Sequence, residues 1–185
     1  VRSAVVVGTG AVGARCARQL LSLGVVEGLV VVGRSDRAYA VAESLGEQVR
    51  VASLDAALSG GPDLVVLAGS APHGEVASQA LRAEAHVVST SASAGDVQLL
   101  AALDEQAVAA QRSVIIGSGF SPGLSCLLAC HAAAQMQEVD DVLVGVYGHG
   151  GHSCAEQLSA ALCAEAPEVV DHQWTRRPAG TGRRV

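Results

Sequence analysis

The sequence predicts an α/β fold, a Rossmann-type doubly wound parallel sheet followed by the start of a second α+β segment. Three observations predict it. Short β-branched runs alternate with Ala- and Leu-rich stretches of helical period, the mark of successive βαβ units. A glycine-rich hexapeptide separates the first such run from the first such stretch. Half of the 185 residues are apolar and 16% are charged, so the chain can cover a sheet on both faces.

Strands are expected at residues 4–7, 29–32, 48–52, 64–68, 86–89 and 114–117. Between the first two, residues 11–23 place Gly13, Ala17 and Leu20 at i, i+4 and i+7 on one stripe. Arg15, Arg18, Gln19 and Ser22 fall off that stripe. Ala38, Val41, Ala42 and Leu45 repeat the pattern behind Ser35 as a helix cap, and Leu100, Leu103, Ala107 and Ala110 repeat it later. Pro122 and Gly123 introduce a further helix reaching about residue 135, with Pro122 in its first turn.

Residues 1–135 are therefore read as a dinucleotide-binding domain of ordinary size. Residues 136–185 are read as a partial substrate or dimerisation segment, with a seventh strand at 142–147, a glycine- and histidine-rich turn at 148–152, a helix near 155–164 and an Arg-, Pro- and Gly-rich tail. Fifty residues make a poor core by themselves, so this segment is expected to pack on the sheet domain or on another subunit, or to belong to a longer chain. A homo-oligomer is the expected assembly.

Composition removes several function classes. A net charge of −6 gives no cationic field for a nucleic-acid backbone, and the sparse aromatics give no stacking platform for bases. No apolar run approaches the length of a membrane span, so no membrane partner is expected and the chain is read as cytoplasmic. All twelve basic residues are Arg, and Lys and Asn do not occur. A Schiff-base lysine, a Tyr and Lys pair and an Asn-assisted oxyanion site are thereby excluded. Five cysteines at irregular spacing fit reduced thiols.

Gly8-Thr9-Gly10-Ala11-Val12-Gly13 follows the first strand and opens a helix. Gly8 permits the tight turn, Gly10 lets backbone approach a pyrophosphate, and Gly13 lets helix and strand pack closely. The helix start supplies unpaired N–H groups and a positive dipole to phosphate. Where an acid would hold the ribose 2′-hydroxyl of NAD, at the end of the second strand, stands Gly33, followed by Arg34-Ser35-Asp36-Arg37. Two guanidinium groups can pair a 2′-phosphate, so the cofactor is read as NADP, and Asp36 leaves NAD as the alternative.

Further cofactor contacts are expected at the carboxyl ends of the strands. Asp55 either accepts from the adenine amino group or caps the next helix. Gly69, Ser70 and Ala71, with Pro72, follow the fourth strand, and residues from Ser89 to Ser93 follow the fifth. No residue is assigned acid or base; the candidates are Ser91, His73 and His149, although a histidine at a helix start, like His73, is ordinarily a solvated one. His149, His152 and Cys154, and likewise Cys126, Cys130 and His131, are close enough in sequence to suggest a metal site. Neither set repeats a zinc pattern, and buried helical thiols and a glycine-rich turn explain them, so no metal is expected. Trp174 and the final arginines are read as surface by default, with contact to substrate or a partner as the alternative.

With Gly8 to Gly13 and the segment from Gly33 to Ala38, a third motif carries a family resemblance: Ile116-Gly117-Ser118-Gly119-Phe120-Ser121-Pro122-Gly123-Leu124, followed by Leu127-Leu128-Ala129. Over its first 135 or so residues the chain resembles the saccharopine dehydrogenase-like family of NADP-dependent oxidoreductases. The resemblance implies that this last turn lies beside the nicotinamide end, with Phe120 among the cofactor-binding residues. It also implies hydride transfer between nicotinamide C4 and a substrate carbon bonded to nitrogen or oxygen, typically in an amino-acid-derived small molecule. The acid and aromatic often found after the family's fifth strand are here Ser89-Thr90-Ser91-Ala92-Ser93. The alternative reading is a dinucleotide-binding module without turnover, a sensor or truncated paralogue.

Overall fold

The seed of the sheet is β1 (Ser3–Val7), an apolar run with Ala4, Val5 and Val6 at most 1% exposed, as a strand covered on both faces requires. In the computed structural model, which describes residues 2–34, 36–145, 147–148, 151–170, 173–178 and 181, β1 lies between β2 (Gly28–Val32) and β4 (Leu64–Leu67). With β3 (Val49–Val51), β5 (His86–Ser89) and β6 (Val114–Ile115) these form one parallel sheet in the order β3-β2-β1-β4-β5-β6. Val7 pairs with Val32 on one side and Leu67 on the other, so the three strands end together. Strand order reverses at β1 and β4, and in open α/β sheets that reversal opens a crevice for ligand.

Period-two alternation sends successive residues of each strand to opposite faces. Val5, Val65, Leu67 and Val87 pack with Ala77, Ala80, Leu81, Leu100 and Ala107 on one face. Ala4, Val6, Leu29, Val31 and Val66 pack with Ala17 and Ala42 on the other. The first face is covered by α3 (Leu54–Ser59), α4 (Gly74–Arg82), α5 (Ala94–Ala101) and α6 (Asp104–Ala110); the second by α1 (Ala11–Ser22) and α2 (Asp36–Leu45). Each fully buried Val or Leu contributes about 1.5–3 kcal/mol, and together they hold the strand ends in register.

Four local expectations are corrected. The pattern from Leu100 to Ala110 is not one helix: α5 ends at Ala101, and Asp104 and Glu105 supply the acidic first turn of a new one. The sixth strand stops at Ile115 because Gly117 turns to φ +72°. Pro122 lies outside α7 (Leu124–Ala133), since Gly123, at φ +138°, is not helical and precedes its first residue. The described residues of 142–147 form no strand; Leu143 is 96% exposed, and nothing pairs with a backbone that needs a neighbour to become a strand. Ser35 and Val146 lie outside the described residues.

The chain divides into two compact units, Val1–Gly145 and Val146–Val185. The second contains α8 (His152–Cys163) and an antiparallel hairpin of β7 (Ala166–Val170) and β8 (Gln173–Arg177), paired from Ala166↔Arg177 to Val170↔Gln173. What reads in sequence as an Arg-, Pro- and Gly-rich tail thus includes a strand pair. Among the described residues no helix is long and apolar enough to cross a membrane.

Candidate dinucleotide-binding site

The glycine turn grows directly from the central seam. The Gly8 N–H donates to the Val32 carbonyl at 2.8 Å, and the Val7 carbonyl accepts from Ala68 N–H at 2.8 Å. Gly8 sits at φ +108°, and a Cβ there would lie 2.5 Å from the Gly69 nitrogen, so only glycine is tolerated. A Cβ on Gly13 would lie 1.8 Å from the Gly8 carbonyl oxygen, which binds the helix tightly to its own turn. Gly10 differs: a Cβ there meets nothing within 4 Å. Gly10 is the N-cap of α1, no side chain caps that end, and no acid stands in the first turn.

Ala11 and Val12 are exposed beside Gly10. An open face over uncapped N–H groups, with no negative charge nearby in the helix, fits a pyrophosphate. Cys16, further along α1, is partly buried, and burial pushes its thiol up from the ordinary value.

At the end of β2 the structure explains the missing acid. A Cβ on Gly33 would lie 2.5 Å from Thr9 Oγ1 and 2.7 Å from its Cγ2, and Thr9 is itself 8% exposed. Thr9 therefore occupies the room that a side chain at 33 would need. Arg34 and Arg37 are exposed, and neither forms an ion pair among the described residues. Asp36 is the acidic residue of the first turn of α2, where it complements the helix dipole. Asp55 is exposed in the first turn of α3; the cap there is Ser53, whose Oγ accepts from Ala56 N–H at 3.2 Å.

Beyond β4, Gly69 and Ser70 are exposed and Ala71 is half-buried. His73 corrects the expectation of a solvated helix-start residue: it is 4% exposed. Its Nδ1 lies 2.8 Å from Ser89 Oγ and its Nε2 3.2 Å from the Gly69 carbonyl. Asp96, from the start of α5, accepts from the backbone N–H of His73 at 2.7 Å and of Gly74 at 3.2 Å. Sequence reasoning missed Asp96, since an acid in the first turn of a helix looks like an ordinary dipole partner.

Ser89 is 0% exposed, so this Ser, His and Asp grouping presents no nucleophile to substrate. Its Oγ also accepts from Ser91 N–H, while Ser91 Oγ accepts from Ser93 N–H. The turn after β6 closes on the same strand end. Ser118 Oγ donates to the Ser89 carbonyl at 2.7 Å, and a Cβ on Gly119 would lie 3.2 Å from the Thr90 carbonyl oxygen. Phe120, about half exposed, belongs to this turn.

The remaining candidates separate. His149 lies outside the described residues, as do the side chains of His152 and Trp174. Cys126 and Cys130 are exposed on α7 rather than buried, because only Ser125 of that helix is buried. Among the described residues no group of three His, Cys, Asp or Glu side chains is placed to hold a metal.

Sheet order, crevice and glycine turn together define a dinucleotide-binding domain of the Rossmann type. Residues 8–117 match the family described as homoserine dehydrogenase, NAD binding domain, and the chain belongs to that family. No curated protein matches the chain.

Among solved structures it is similar to saccharopine dehydrogenase (L-Glu forming) from Saccharomyces cerevisiae, at 23% identity and TM-score 0.58 over 73% of this chain and 31% of that one. It is similar to biliverdin reductase from Synechocystis sp. PCC 6803, solved with biliverdin and NADP+, at 26% identity and TM-score 0.58 over 72% of this chain and 41% of that one. It is also similar to GenD2 from gentamicin A biosynthesis, solved with NAD, at 28% identity and TM-score 0.56 over 72% and 39%. The chain thus spans between 31% and 41% of the length of these structures.

Proposed function

We propose that this chain is the cofactor domain of an NADP-dependent oxidoreductase of the saccharopine dehydrogenase-like type, acting on an amino-acid-derived or related small molecule. The observation that carries the cofactor choice is Gly33 pressed against Thr9, with exposed Arg34 and Arg37 following. Position 33 carries no carboxylate, and a side chain there would have to displace Thr9, so the ribose edge of the crevice is left to guanidinium groups.

Gly8, Gly10 and Gly13 would hold the pyrophosphate, with Ala11 and Val12 at the helix start. Thr9 would shape the ribose edge, and Gly69, Ser70 and Ala71 would line the path toward the nicotinamide. When bound, the nicotinamide supplies or accepts a hydride. The choice of a CH–NH or CH–OH carbon as its partner rests on the sequence resemblance carried by the turn from Ile116 to Leu124. Residues 136–185 would open a substrate or dimerisation segment, within a soluble homo-oligomer.

Fluorescence titration of NADPH and NADH tests this reading. NADPH should bind more tightly, and Arg34→Ala or Arg37→Ala should each narrow the preference about tenfold, the loss of one exposed charged hydrogen bond. Equal affinities in the parent protein refute the NADP assignment.

A second reading is dinucleotide binding without turnover. It is favoured by the closed hydrogen bonding of the β5 end, where Ser89 and Ser91 are buried and both ring nitrogens of His73 are engaged. NADPH that binds yet is not oxidised with any 2-oxo acid and amine pair, in a mixture where a known reductase turns over, would establish it.

A further inference from the structure

We propose that His73 is a positioning residue for the dinucleotide, acting through the backbone of Gly69, a role that rests on the dinucleotide-binding reading above. Burying an imidazole is unfavourable unless both nitrogens are satisfied, and here they are, at 2.8 Å and 3.2 Å.

The partners dictate the proton positions. The Gly69 carbonyl can only accept, so Nε2 carries a proton and donates to it. In the neutral ring Nδ1 is then the acceptor, so the Ser89 hydroxyl donates to it while its oxygen accepts from Ser91 N–H. The result is a directed chain from Ser91 N–H through Ser89 and His73 to the carbonyl of Gly69.

The start of α4 does not require this imidazole. The Asp96 carboxylate already receives the N–H groups of His73 and Gly74, so these two donors at the helix start are satisfied without the ring. Among the described residues Asp96 Oδ2 has no hydrogen-bond partner, and it lies 3.9 Å from His73 Nδ1, so the carboxylate also faces the ring. What the ring adds is a tether on Gly69. That residue is the wall against which Gly8 packs, with no room for a Cβ on the Gly8 side. Four positions from three segments, Asp96, His73, Gly69 and Gly8, are thereby linked into the crevice at the point where strand order reverses.

Gly69 stands beyond β4, whereas Gly33, Arg34 and Arg37 stand beyond β2 on the opposite side of β1. Loosening Gly69 should therefore harm binding of the whole dinucleotide and spare its adenosine half. The test uses His73→Gln, whose amide can reach the place of Nε2, and His73→Asn, which reaches only the place of Nδ1. Binding of NADPH and of 2′,5′-ADP is measured by calorimetry, with thermal melting alongside. His73→Asn should weaken NADPH about tenfold, the loss of one positioned hydrogen bond, and leave 2′,5′-ADP unchanged; His73→Gln should stay within about threefold of the parent for both.

Should His73→Asn not fold, Ser89→Ala, which frees the ring to turn, carries the same expectation for the two ligands. Equal losses for both ligands, unchanged NADPH affinity in His73→Asn, or no advantage of Gln over Asn overturns the positioning role while leaving the cofactor site standing. A parent protein that binds 2′,5′-ADP, NADPH and NADH not at all overturns the cofactor site, and this role with it.

Discussion

Replacing Gly33 by Asp installs the carboxylate that an NAD-selective crevice carries at the end of β2, and the geometry around Thr9 sets what this costs. The new Cβ would lie 2.5 Å from Thr9 Oγ1, 2.7 Å from Cγ2 and 3.2 Å from Cβ, against a normal separation of about 3.5–4.0 Å. Overpacking of this kind costs about 1–3 kcal/mol, with Thr9 hemmed in at 8% exposure. For a chain of this length each kcal/mol moves the melting temperature by about 2–4 °C, so Gly33→Asp should melt roughly 2–12 °C below the parent.

Thr9→Ala removes the two nearest atoms and leaves only the 3.2 Å contact. Thr9→Ala combined with Gly33→Asp should therefore recover most of the loss, and the double-mutant cycle should give a favourable coupling of about 1–2 kcal/mol. The same double variant should lose its NADPH preference, since the carboxylate accepts from a ribose hydroxyl and repels a 2′-phosphate. Calorimetric melting and paired NADPH and NADH titrations measure both effects. Gly33→Asp melting with the parent, or no coupling to Thr9, refutes the steric argument; an unchanged cofactor ratio in the double variant refutes the specificity argument.

The second and third glycines of the turn should behave in opposite ways. Gly13→Ala, whose Cβ would lie 1.8 Å from the Gly8 carbonyl oxygen, should destabilise the domain by about 3 kcal/mol or more by chemical denaturation. Gly10→Ala, whose Cβ points into open space, should melt within a few degrees of the parent yet weaken dinucleotide binding about tenfold or more. At the other end of the sheet, the N–H groups of Ser3 and Arg2, at 3.0 Å and 2.7 Å, hold the Asp63 carboxyl below its ordinary value. Because that value is lowered in the folded state, the stability it contributes is complete above about pH 5, and is lost as pH falls through the unfolded value near about 3.9 toward the folded one. Asp63→Asn should thus melt below the parent at neutral pH, with the gap closing under acid; a gap undiminished at about pH 3 would count against this account.

Legibility in the sequence follows the range of the interactions. The six sheet strands, the glycine turn and the first two helices are readable because apolar period and glycine placement are local properties, written within ten or twenty consecutive residues. Gly8 and Gly13 are assignable to a tight turn from the hexapeptide alone, since close approach of backbone to backbone leaves few residue types possible. The break between α5 and α6 is also local, signalled by Asp104 and Glu105, and is masked by the longer apolar period across it.

Only the tertiary structure joins residues distant along the chain. It sets Thr9 against Gly33, buries His73 between Ser89 and Gly69, and brings Asp96 to the start of α4. Among the described residues it also leaves the apolar run near Val142 without a strand neighbour, whereas the β7 and β8 segments pair. Periodicity determines which face of an element is apolar, and so the class of fold. Which side chains then meet at the strand ends depends on the lateral order β3-β2-β1-β4-β5-β6, a property of the assembled sheet and not of any one segment.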